Sequence, residues 1–172
     1  MRTVIGVMGS GATLDEAGYA RAYSLGALIA TRGWVLLTGG SAGGVMHAAS
    51  HGAQDAGGLV VGVLKGETAE GATPHLDIAV PTGMGDARNA INVLASEVVV
   101  ALPGGAGTLS EVALGLKAGK TVVAVDWHPG EALRRSGPGT LVLVDSVAEA
   151  VDHVAGVIDR RSEGHACRSE DM

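Results

Sequence analysis

Residues 98–123 read VVVALPGGAGTLSEVALGLKAGKTVV, and the three parts of this stretch decide the fold class. The flanking runs VVVAL and TVVAV carry β-branched residues without polar alternation, as strands do when a parallel sheet buries them on both faces. Between them lies a segment of helical period that starts in a glycine cluster. Strand, glycine turn, helix and strand in that order form one unit of an open α/β sheet.

The same alternation runs through the rest of the chain. It predicts strands over 3–8, 34–38, 59–64, 77–80, 98–102, 121–126 and 141–144, and helices over 14–32, 44–56, 87–95, 109–118 and 147–160. The expected fold is an α/β, Rossmann-like, doubly wound and mostly parallel sheet with helices on both faces. At 172 residues the chain suits one domain, here residues 1–160, since domains commonly run to roughly 100–150 residues or somewhat more. Beyond Arg160 the apolar period is lost, so 161–172 is expected to be a disordered tail, and His165 and Cys167 are poor candidates for a site.

Composition removes several functions. A net charge of -6 with scattered Lys and Arg leaves no basic face for a nucleic-acid polymer. No apolar run approaches the roughly 20 residues that span a bilayer, and the start MRTVIGVMGSG breaks into glycine too early for a signal peptide. One cysteine allows no intrachain disulfide, which fits a reducing, cytoplasmic setting. With no Phe, two Trp and two Tyr, the core falls to Val, Leu, Ile and Ala.

Three glycine turns follow strands: MGSGAT from Met8, TGGSAGGVM from Thr38 and PGGAGT from Pro103. Loops at the carboxyl ends of parallel strands gather on one edge, where ligands of such sheets bind. The second and third open directly into helices, whose free N–H groups favour an anion while glycine lets a phosphate approach the backbone. The expected ligand- and phosphate-binding set is Gly9, Ser10, Gly11, Thr38, Gly39, Gly40, Ser41, Gly43, Gly44, Met84, Asn89, Gly104, Gly105, Ala106, Gly107 and Thr108. None of these turns is a P-loop, and GSGATL lacks the dinucleotide fingerprint.

Glu111 has two readings. Thr108-Leu-Ser-Glu111 fits a capping box, as do Thr13-Leu-Asp-Glu16 and Ser146-Val-Ala-Glu149. Its place just past PGGAG would instead set a carboxylate beside a phosphorylated ligand. Asp86 is expected to cap a helix with Arg88 in its first turn, where an arginine opposes the dipole and needs an anion such as Glu111 or a ligand group. Asn92 and Asp126 are further polar candidates, and Lys65 follows a strand on the same edge. His47 and His51 stand four apart, but no acidic ligands complete a set, so no metal site is expected.

With these residues in view, the chain resembles the LOG ("lonely guy") phosphoribohydrolases. Their PGG-x-GT-x-x-E motif is complete in Pro103 to Glu111, Arg88 stands fifteen residues before Pro103, and GGSAGGVM is similar to their second-strand loop. The resemblance covers roughly residues 2–127. It implies Arg88 and Glu111 as catalytic residues, no required cofactor, a homodimer or higher oligomer, and release of the base from a nucleoside 5′-monophosphate. Where the family's enzymes read M-H-x-R-K, this chain reads Gly85-Asp86-Ala87-Arg88-Asn89. That is closer to the short branch containing molybdenum cofactor carrier proteins, which implies a phosphorylated pterin, the molybdenum cofactor, as the bound ligand. The hydrolase ranks first on this reading and the carrier second.

Overall fold

The seven apolar runs become strands because only a parallel sheet covered on both faces buries segments with no polar side. In the computed structural model, which describes residues 2–169 with side chains to Arg161, these are β1 (Val4–Met8), β2 (Val35–Thr38), β3 (Val60–Leu64), β4 (Ile78–Pro81), β5 (Val98–Ala101), β6 (Thr121–Val125) and β7 (Thr140–Val144). They form one sheet in the order β4-β3-β2-β1-β5-β6-β7, and every pairing is parallel. This is the expected Rossmann-like architecture. Edge strand β4 is exposed along its length and ends in Pro81, a residue that an edge tolerates.

Five α-helices cover the sheet among the described residues: α1 (Glu16–Thr31), α2 (Gly44–Asp55), α3 (Asn89–Ala95), α4 (Ala106–Lys117) and α5 (Val147–Ser169). Leu25 and Ile29 of α1, Val45 and Ala49 of α2 and Val151 and Val154 of α5 pack on one face against Ile5, Leu36 and Val100. Val93 of α3 and Val112 and Leu116 of α4 pack on the other against Val99 and Val122. No helix among the described residues is long and apolar enough to cross a membrane. Trp34 and Trp127 sit at the margins of the two cores, with the Arg32 guanidinium 5.8 Å from the Trp34 ring.

Three local expectations need correction. First, α4 begins at Ala106 with Gly105 as its N-cap, three residues before the expected start, so Thr108 lies inside the helix and caps nothing. Second, α1 is capped by Asp15, whose carboxylate accepts from the Gly18 N–H at 2.8 Å, and not by Thr13. Only the third stretch caps as expected: Ser146 Oγ accepts from the Glu149 N–H at 3.3 Å, while the Glu149 carboxylate accepts from the Asp145 N–H, one residue before the cap, at 3.2 Å. Third, Asp86 lies within a short 3₁₀ turn, Gly85–Arg88, that precedes α3, and its side chain caps no helix. Helix α5 runs on through Ser169, beyond its expected range of 147–160. The side chains of His165 and Cys167 lie outside those described, as do residues 170–172 altogether.

The close pairing of α1 with α2 depends on two glycines. A β-carbon on Gly26 would land on the Ala49 carbonyl, and one on Gly52 on the Tyr23 carbonyl. Both obstacles are backbone, so the helices would have to separate. Gly156 of α5 provides a contrast, since a β-carbon there meets only the mobile end of Arg160 at 3.4 Å. Ala gains about 1 kcal/mol over Gly in a helix, whereas overpacking costs about 1–3 kcal/mol. Gly156→Ala should therefore raise the urea midpoint and Gly26→Ala lower it; a rise in both would show that α1 and α2 are not in contact through these residues.

Candidate functional site

The carboxyl ends of β1 and β5 lie side by side, yet the chain leaves them in opposite directions, β1 toward β2 and β5 toward β6. The loops part there and open a crevice, the usual ligand position in such sheets. Backbone bonds fix its rim. The Ser10 N–H donates to the Pro103 carbonyl at 3.1 Å, and the Val45 N–H donates to the Ser10 carbonyl at 2.8 Å. The β1 loop thus joins the PGG turn to the start of α2.

Ten of the expected residues line a cavity of about 300 Å³ at this crevice: Gly9, Ser10, Gly11, Gly39, Arg88, Asn89, Gly105, Gly107, Thr108 and Glu111. No side chain caps the start of α4, so the N–H groups of its first turn remain available to an anion. A β-carbon at Gly105 would meet nothing within 4 Å. Gly39 is different, because a β-carbon there would collide with the Arg88 guanidinium; its glycine makes room for the arginine.

Arg88 and Glu111 come together at the floor. Glu111, in the second turn of α4, is 6% exposed and lies 3.9 Å from Arg88 Nη1 through Oε1. The same oxygen accepts from Asn92 Nδ2 at 2.9 Å. Burial pushes the Glu111 carboxyl above its ordinary value despite the opposing pull of Asn92 and Arg88. Burial also lowers the arginine's pKa, and Glu111 and Asp86 act against that. Arg88 Nε is buried without a hydrogen-bond partner, an orphaned donor beside a cavity. Such groups are costly in a plain core; next to a ligand site they have an evident use.

Other expected residues support the cavity from behind or lie elsewhere. Thr38 is fully buried and its Oγ1 accepts from the Gly40 N–H at 3.0 Å. Gly40 has φ +72 and packs against Gly62, while Gly43 and Gly44 pack under the main chain of the β1 loop. Gly104 faces the Thr108 side chain. Ala106 opens toward a shallower surface hollow, and Met84 is 50% exposed beside the 3₁₀ turn. Asn92, expected as a ligand reader, is fully buried and positions Glu111 instead. Asp126 pairs with Arg21 at 2.7 Å and lines neither cavity of the crevice. Met8, Met46 and Asp86 line the cavity without having been expected to. The two methionines read as core in a sequence, and Asp86 as a cap.

A second cavity of about 300 Å³ adjoins the first and shares Gly11, Gly39, Met46, Asp86 and Arg88 with it. Ser41, Lys65, Thr68 and Glu70 complete its polar wall. Elsewhere on α2, His47 and His51 meet His75, Tyr19 and Tyr23, with the His51 and His75 rings stacked at 4.3 Å. The partners of their Nδ1 atoms are Thr73, Tyr19 and Gln54. No group of His, Cys, Asp or Glu among the described residues is arranged to hold a metal ion.

Comparison with known proteins agrees with this geometry. A protein of Archaeoglobus fulgidus is 46% identical over 121 residues, 70% of this chain and 78% of that one. The molybdenum cofactor binding protein from the phototrophic bacterium Rippkaea orientalis shares 41% identity at a TM-score of 0.87, covering 92% of this chain and 98% of that one. The Moco carrier protein from Chlamydomonas reinhardtii shares 40% identity at a TM-score of 0.85, covering 93% and 99%. The SLOG cluster4 family matches residues 2–151. With that match over most of its length and the PGGAGTLSE turn at the mouth of its crevice, the chain belongs to the SLOG cluster4 family of LOG-like proteins.

Proposed function

We propose that this protein binds a phosphorylated pterin, the molybdenum cofactor, as cargo and carries it in the cytoplasm without chemical change. The observation that carries this reading is the identity of 40–41% over more than nine-tenths of both chains with proteins described as binding or carrying that cofactor. The residues present suit such a cargo. The uncapped start of α4, the glycine backbone and the orphaned Arg88 Nε supply donors for a phosphate. Met8 and Met46 supply apolar, polarisable walls for a flat ring in a cavity with no aromatic residue.

A second reading, hydrolysis of the N-glycosidic bond of a nucleoside 5′-monophosphate, draws on the pairing of Glu111 with Arg88. An ionised Glu111 beside the sugar would stabilise the positive charge that builds at C1′ as the base leaves. Water would then complete ribose 5-phosphate, and the base would depart with a proton. The carrier reading needs no ionised carboxylate at this position.

Gly105→Val separates binding from folding, because the new side chain enters open space at the phosphate position. Its stability should stay within about 1 kcal/mol of the parent, while affinity for a pterin phosphomonoester falls at least tenfold in calorimetric titration. Equal affinity would overturn the phosphate position. The parent should release no ribose 5-phosphate from AMP or other nucleoside monophosphates. If it does, and Glu111→Gln does not, the hydrolase reading replaces the carrier.

The Glu111 carboxyl, raised above its ordinary 4.5, keeps a native-state proton over a pH range where the unfolded chain has lost it. Stability contributed by that proton is lost as pH rises from the ordinary carboxylate value to the raised one, and the loss is constant above. The stability of the parent relative to Glu111→Gln, from urea unfolding, should fall with pH across this range; parallel curves would refute a raised carboxyl.

The assembly proposed is a homodimer through α3 and α4. Leu94 is 65% exposed and Leu109 36% exposed, and Ala90, Leu94, Leu114 and Ala118 border an apolar hollow that a two-fold copy would cover. Light scattering should give at least twice the 17.1 kDa chain mass, with Leu94→Glu shifting it to the monomer. A parent that is monomeric at micromolar concentration removes the dimer.

A further inference from the structure

On the carrier reading, the uncapped start of α4 and the orphaned Arg88 Nε offer the phosphate its donors in the first cavity, and a second cavity adjoins it. That second cavity is a built feature. Backbone bonds tie its wall, residues 65–73, to the β2 loop: the Ala42 N–H donates to the Gly71 carbonyl at 3.0 Å and the Thr73 N–H to the Gly40 carbonyl at 2.9 Å, with a bridge between Ser41 and Ala72. The same wall is joined to the turn that carries Arg88, as the Gly85 N–H donates to the Lys65 carbonyl at 3.0 Å. Two cations, Arg88 and Lys65, are therefore placed along one continuous crevice, one at the junction of the cavities and the other beyond it.

The polar groups of the second cavity fit a nucleoside monophosphate. Lys65 forms no ion pair among the described residues and is exposed, so its ammonium is available to a phosphate as a compact cation. Ser41 contributes a hydroxyl, and the Glu70 carboxylate, likewise outside any ion pair, can accept from ribose hydroxyls or a base amino group. About 300 Å³ is at the low end of what one drug-sized ligand occupies, room in each cavity for one heterocycle-and-phosphate unit. Phosphates joined through one bridging oxygen would meet at the junction, beside Arg88.

We propose that the second cavity is a nucleotide subsite: it takes the nucleoside monophosphate half of a pyrophosphate-linked dinucleotide form of the cargo, with Lys65 as its phosphate cation. This rests on the carrier reading for the first cavity and can fail independently of it. The test compares a pterin phosphomonoester with the same pterin linked through pyrophosphate to a nucleoside, on the parent and on Lys65→Ala. The parent should bind the linked form at least tenfold more tightly. Lys65→Ala should lose that advantage while keeping the parent's affinity for the monoester and its urea midpoint. If the parent binds both forms equally, or Lys65→Ala weakens both alike or neither, the subsite is refuted and the carrier stands. If the parent binds neither form, both readings fall.

Discussion

Two neighbouring parallel strands that hand the chain off in opposite directions impose the constraint on which the site depends. At β1 and β5 no connection can cross the gap, so the loops fold away and leave a crevice above the sheet. The sequence has to line this crevice with backbone, because three loops and the start of α4 converge within it. That requirement accounts for its glycines better than flexibility does. Gly44 and Gly104 let adjoining segments pack closely, Gly39 leaves room for a guanidinium, and Gly105 keeps open space in front of free N–H groups.

A buried charge pair is set into this backbone cup at some cost in stability. Arg88 and Glu111 lie 3.9 Å apart, looser than a close ion pair, and the desolvation of both is not fully offset by their attraction. A well-packed apolar pair would serve the fold better. The surrounding structure holds the charges in place all the same: Asn92 grips the carboxylate, and Ser96 Oγ donates to the Asn92 carbonyl at 2.7 Å. Unrelieved polar groups kept in position by second-layer contacts are characteristic of sites selected for binding over stability.

The sheet and most of the first cavity were legible in the sequence because each leaves a local mark: apolar runs without alternation for the strands, glycines at the strand ends for the loops. Helix starts were less legible. Three stretches share the form of a capping box, yet only Ser146 caps as expected, because tertiary contacts drew Glu111 into the core and the closer Asp15 displaced Thr13. Asn92 looked like a ligand reader since a polar residue in a short helix gives no sign of which way it faces. The second cavity left no mark either. Its wall is an irregular polar segment whose position depends on backbone bonds to β2 and to the 3₁₀ turn, and no periodicity encodes those. For the functional class, the sequence put hydrolysis ahead of carriage, and solved structures that match most of the chain belong to proteins described as binding or carrying the molybdenum cofactor.

The scarcity of aromatic residues also has an optical consequence. Trp34 and Trp127 lie at the core margins, the two tyrosines of α1 sit against His51 of α2, and the crevice walls carry no aromatic side chain. A conjugated ring held between Met8 and Met46 would be seen against a nearly dark background. Its absorption band would report its own redox state, and the circular dichroism induced in it by the asymmetric cup would report its seating, with little protein signal to subtract.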